Sequence, residues 1–133
     1  MTTQDCASGV CDPQRSEGLL KPAGRGSHVL IELDGPGLFL SAEVIKQDGS
    51  NDITFVVLDI DGRNVANVSY AAAENWGLTQ QNPFGLVLLK SATQKNLTIG
   101  FPSPLRFQKD LRLSVTVNET GVTQILANVI HGK

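Results

Sequence analysis

The chain has 133 residues, of which 41% are hydrophobic and only 18% charged, with 11 basic and 13 acidic side chains and a formal net charge of −2. A single domain of that length buries roughly two-thirds of the surface its unfolded form exposes and needs no staple to fold. Like charges never run longer than two, which argues against a nucleic-acid partner, and no apolar run approaches the ~20 residues of a membrane-spanning helix.

A charge content below the roughly 25% of ordinary domains suits a subunit packed against copies of itself or other proteins. The first ten residues, MTTQDCASGV, have neither a basic nor an apolar leader region, so no secretory signal is expected and the chain is expected to stay in a cytoplasm. There the two cysteines, Cys6 and Cys11, are expected to be reduced thiols rather than a disulfide or half a metal site.

Residues 1–26 are polar and punctuated by Gly and Pro, with Leu19-Leu20 their apolar pair. No period fits, so the segment is expected to be an extended N-terminal arm lacking regular structure, its Leu19 and Leu20 anchoring it on a neighbouring subunit. Residues 27–133 form the second unit, a β-sandwich domain. His28 to Leu33 is its first predicted strand, closed by the turn Asp34-Gly35-Pro36-Gly37. Leu38 to Gln47 is the second, with Leu38, Leu40, Ala42 and Val44 on one parity and Phe39, Ser41 and Glu43 on the other. Turn residues 48–51 lead to a third strand from Ile53, and Asp61-Gly62 turns it into a fourth, Asn64 to Ser69, because Asp-Gly supplies the positive φ of a tight hairpin. Four strands joined by short turns predict an antiparallel meander.

Ala71-Ala72-Ala73-Glu74 then favours one or two helical turns, stopped at Gly77, with Gln80-Gln81-Asn82-Pro83 as loop. Strands return at Phe84 to Lys90 and Asn96 to Phe101. Phe101-Pro102-Ser103-Pro104 is expected to be a corner or an edge, since neither proline can donate to a ladder. Leu105-Arg106-Phe107 follows. Leu111 to Val117 alternates with Leu111, Leu113, Val115 and Val117 inward, and Val122 to Ile130 is the last strand. The fold class is all-β: an antiparallel β-sandwich, by preference a jelly roll, with one short helix and the N-terminal arm.

Chemistry is sparse. Asp59-x-Asp61-Gly62 resembles the start of a calcium loop but lacks the remaining ligands, and turn chemistry is the better account. His28 and His131 are isolated, and no nucleophile elbow, zinc-protease helix or phosphate loop occurs. Glu43, Asp52, Asp59 and Glu74 would have to converge in space to act as paired carboxylates. No catalytic residue, metal ligand or cofactor is therefore expected, nor an enzyme. Three Asn-x-Ser/Thr sequences carry little meaning without a secretory signal. Trp76 is read as a plug over the open end of the sandwich. The alternative is a carbohydrate-binding module in which Trp76 and Tyr70 stack on sugar rings, with Gln80, Gln81 and Asn82 supplying amides.

The charge-poor sandwich behind a Gly/Pro arm, the Gly35-Pro36-Gly37 turn, the Asp59-Ile60-Asp61-Gly62 hairpin and the corner Phe101 to Phe107 together resemble jelly-roll structural proteins of tailed-phage virions, the capsid decoration or cement type. The resemblance spans residues 27–131. It implies a homo-oligomer, often a trimer, located on the virion and bound to a capsid or tail surface through its arm and one end of the sandwich.

Overall fold

The structure is a computed structural model that describes residues 6–7, 10–80, 82 and 85–133. Among them a small hairpin, β1 (Cys6–Ala7) and β2 (Val10–Cys11), precedes β3 (Gln14–Leu20). Then come β4 (Gly26–Asp34), β5 (Gly37–Asp48), β6 (Thr54–Ile60), β7 (Arg63–Ser69), α1 (Tyr70–Asn75), β8 (Leu86–Lys90), β9 (Gln94–Phe107), β10 (Asp110–Val117) and β11 (Val122–Gly132). Two antiparallel sheets, of order β4-β10-β6-β7 and β3-β11-β5-β9-β8, pack face to face. The molecule is an all-β sandwich with one short helix.

The core follows from period-two alternation. Leu111, Leu113, Val115 and Val117 of β10 are fully buried, as expected, against Val56 and Leu58 of β6 and Phe39, Val44, Leu97, Ile99, Ile125 and Val129 of the facing sheet. In β5 the expected parity fails. A register shift between Phe39 and Ser41 turns Phe39 into the core, where it meets Phe101 with ring centroids 6.2 Å apart, while Leu40 is only half-buried. One extra residue in a strand reverses the facing of what precedes it.

The meander is also corrected. β4 and β5 lie in opposite sheets, as do β5 and β6, so of the three connections from β4 to β7 only β6–β7 is a hairpin within one sheet. Short turns are equally able to reverse a strand in its own sheet or to carry it across the sandwich, so loop length does not decide between them. The corner prediction fares better. Gly100 pairs with Ser41 and Leu105 with Phe39, so residues 101–104 have no ladder partners on β5, and both prolines sit where no amide is required.

The arm is corrected too. Gln14–Leu20 is a regular edge strand, paired from Leu20↔Ile125 to Gln14↔His131. Its other side lies so close to β4 that a Cβ on Gly18 would stand 2.3 Å from the Leu30 carbonyl oxygen. Further upstream, Cys11 and Lys133 exchange two backbone hydrogen bonds of 2.7 Å. Cys11 is disulfide-bonded, and its backbone register partner is Cys6, the chain's other cysteine. The expectation of reduced thiols is thereby overturned: the hairpin register sets the two cysteine positions opposite each other.

Candidate functional site

The four side chains singled out in the sequence, Leu19, Leu20, Tyr70 and Trp76, lie in different settings. Tyr70, first residue of α1, is wholly buried, and its hydroxyl donates to the Val44 carbonyl at 2.6 Å. It cannot stack on a ligand. Burial, reinforced by the negative charges of Glu119 and Asp52, pushes its phenol far up. Trp76, at the C-cap of α1, is 66% exposed and plugs nothing. The core beneath is already filled by Tyr70, Ala73 and Leu78. Leu19 is 60% exposed and Leu20 packs half-buried on the core, as alternation on an edge strand requires. Gln81, Pro83 and Phe84 lie outside the described residues.

The four carboxylates do not converge into a catalytic pair. Glu43 faces out of the five-stranded sheet, held by Asn128 and Asn96 at 3.0 Å each. Asp59, at the far end of β6, accepts from Asn64 at 3.0 Å. Asp52 and Glu74 meet, but through Lys95. They belong to a chain of charges closing one end of the sandwich, which runs Glu119–Lys46–Asp52–Lys95–Glu74–Lys90.

Its inner half is buried. Lys46 shares the inward parity of Ala42 and Val44, is 1% exposed, and lies 5.4 Å from the Tyr70 ring centre. Its ammonium donates to the Asp52 carboxylate at 2.7 Å, the Asp48 carbonyl at 3.0 Å and Glu119 Oε1 at 3.2 Å. Glu119 also accepts from Thr54 Oγ1 at 2.6 Å and the Asp52 amide at 3.2 Å. Gly49 makes room for it: a Cβ there would lie 2.1 Å from Glu119 Oε1. Every charge is paired and hydrogen-bonded, the condition under which buried ions are tolerated. The cluster is a clamp joining β5, β6, β9 and the turn before β11.

A second clamp closes the opposite end. Asp61 and Gly62 both have positive φ, 53° and 78°, as their hairpin requires. The Asp61 carboxylate accepts from the amides of Gln108, Lys109 and Asp110 at 2.9, 2.7 and 3.1 Å, tying this turn to the one between β9 and β10. The turn was legible in the sequence; its partner was not. Among the described residues no group of three or more His, Cys, Asp or Glu could hold a metal ion.

These clamps set the acid response. Burial works to raise the Asp52 carboxyl, yet hydrogen bonds and charges from Lys46 and Lys95 prevail and hold it below its ordinary 3.8. The Gln108 and Lys109 amides do the same for Asp61. Burial lowers His131, so its neutral ring is favoured in the folded protein. All three depressed groups contribute stability above their unfolded pKa values and lose it as pH falls. The urea midpoint is expected to be flat near neutrality, to decline below about pH 6.5 and again below about pH 4. His131→Gln should remove the first step alone; a midpoint rising on acidification would contradict this assignment.

The remaining candidate is the outward face of the five-stranded sheet. Cross-strand register aligns Leu19, Leu126, Ile45, Asn96 and Leu89 in one row across all five strands. The next row is polar: Glu17, Asn128, Glu43 and Thr98, ending in Val87. Single-sequence reading missed both rows because they exist only once the strand order is known. No protein-family model matches the chain, and no curated protein resembles it in sequence.

Proposed function

We propose that this protein is a non-enzymatic structural subunit, associating with copies of itself and with a larger protein assembly of the capsid or tail type. The observation carrying the reading is Leu19. It is 60% exposed on an ordered edge strand and continues by register into Leu126 and Ile45, so an aliphatic strip reaches the rim of the sheet. Exposed, contiguous apolar surface of that kind marks an interface. Two features support the jelly-roll variant of the sandwich. The late strand β10 is inserted between β4 and β6, and β11 between β3 and β5, as Greek-key connections do. A virion location follows from the resemblance and stands or falls with the assembly.

Sedimentation velocity tests the proposal. The wild-type chain is expected to sediment as an oligomer, a trimer by the resemblance, and Leu19→Lys as a monomer with an unchanged melting temperature. A wild-type protein that remains monomeric at high concentration refutes the reading.

A further inference from the structure

The outward face of the five-stranded sheet also contains an open groove of about 620 Å³, the size of a small-molecule site. It lies beside the aliphatic strip, toward the corner at Phe101 and Pro102, which line it together with Val87 and Ile130. One glycine holds it open: a Cβ on Gly100 would meet only the Ser41 Cβ, at 4.0 Å, while Gly85, whose φ is 76°, packs so closely that a Cβ there would lie 2.6 Å from the Gly100 carbonyl oxygen.

The polar groups of the groove are braced before any ligand arrives. The Glu43 carboxylate is held from both sides, Oε1 by Asn128 Nδ2 and Oε2 by Asn96 Nδ2, at 3.0 Å each. The Asn128 oxygen accepts from Arg15 Nη1 at 3.2 Å, and Arg15 Nη2 is fixed by Glu17 at 2.6 Å. Thr98 Oγ1 gives its proton to the Val87 carbonyl at 3.2 Å, leaving its lone pairs toward a ligand. Arg15 and Asn128 retain unused donor protons, and Glu43 and Thr98 retain acceptor capacity.

We infer that this groove binds a neutral saccharide. Hydroxyl groups both donate and accept, and so match donors and acceptors interleaved across one row of strands. The C–H face of a sugar ring suits the aliphatic Val87 and Ile130 and the aromatic Phe101. Other ligand classes fit worse. An anion meets Glu43, a cation meets Arg15, and a wholly apolar ligand would desolvate the Glu43 carboxylate without replacing its water. The site is independent of the assembly reading, and is distinct from the exposed Trp76.

NMR titration of the full chain with maltose, cellobiose, lactose and chitobiose tests it. At least one sugar is expected to shift the Asn96 and Asn128 side-chain amides and the Gly100 backbone amide saturably. Gly100→Leu fills the groove while leaving the Glu43 network intact. It should keep the wild-type melting temperature and weaken binding at least about tenfold, a loss of about 1.4 kcal/mol. Asn128→Ala, which adds no bulk, should weaken binding as well, and Leu19→Lys should leave it unchanged. The proposal is overturned if none of the four sugars shifts these groups, if binding survives both groove variants, if the shifts centre on the Trp76 indole, or if inorganic phosphate binds the groove more tightly.

Discussion

Glu119→Ala is expected to destabilise the fold by about 3–5 kcal/mol, the range for stripping one partner from a buried ion pair. Glu119 is buried and accepts from Lys46, Thr54 and the Asp52 amide. Its loss leaves the ammonium of Lys46, 1% exposed, with one carboxylate where it had two. The Thr54 hydroxyl is also left without its acceptor, a further desolvation cost. Urea unfolding, extrapolated linearly to water, measures the change. The double variant Lys46→Met, Glu119→Leu should lose less than the sum of the two single changes, because removing both charges abolishes the uncompensated ion. Additive losses would show that the two residues do not act as a pair.

Gly18→Val is expected to release the edge strand. The added Cβ would stand 2.3 Å from the Leu30 carbonyl oxygen and 2.9 Å from its carbon, and backbone atoms of a paired strand cannot move aside cheaply. Overpacking of this kind costs typically about 1–3 kcal/mol. Among the described residues strand β3 has a ladder partner only on β11, so detachment of β3 relieves the clash at less cost than unfolding the sandwich. Amide exchange should therefore accelerate at residues 15–20 while β5 and β9 stay protected. Because Leu19 travels with β3, the self-association proposed above should fail in the same variant. Undiminished protection across β3 would show that the contact relaxes in place.

How much of this was legible beforehand depends on what each residue faces. β10 was readable because Leu111, Leu113, Val115 and Val117 alternate with the polar Arg112, Ser114 and Thr116 and are all fully buried. β3 was not. Its inward positions are Ser16, Gly18 and Leu20, of which only Leu20 is apolar, since a side chain at Gly18 would collide with β4. Close backbone approach thus erased the alternation by which strands are recognised. Lys46 did carry a signal, for it shares the parity of Ala42 and Val44, but a lysine at an inward position reads as an error in parity until Glu119, 73 residues away, is placed beside it. Tyr70, rather than Trp76, is the ring that fills this end of the core, for a related reason. Sequence proximity placed both at one end of the sandwich, but only the Ser69 N-cap and the direction of α1 decide which ring turns inward. The outward rows on the five-stranded sheet depend on strand order and have no counterpart in linear spacing.

The insertion of β10 between β4 and β6, and of β11 between β3 and β5, bears on how the chain is made. Neither sheet can be completed while residues 110–133 are still inside the ribosome, because the strand that joins its early members does not yet exist. Until then β3 has no ladder partner, and the edges of β4, β5 and β6 that later pair with β10 and β11 remain open. Such edges are templates for mispairing with other nascent chains. Folding is thereby deferred until residues 110–133 have emerged, and it is governed by slow, non-local pairing.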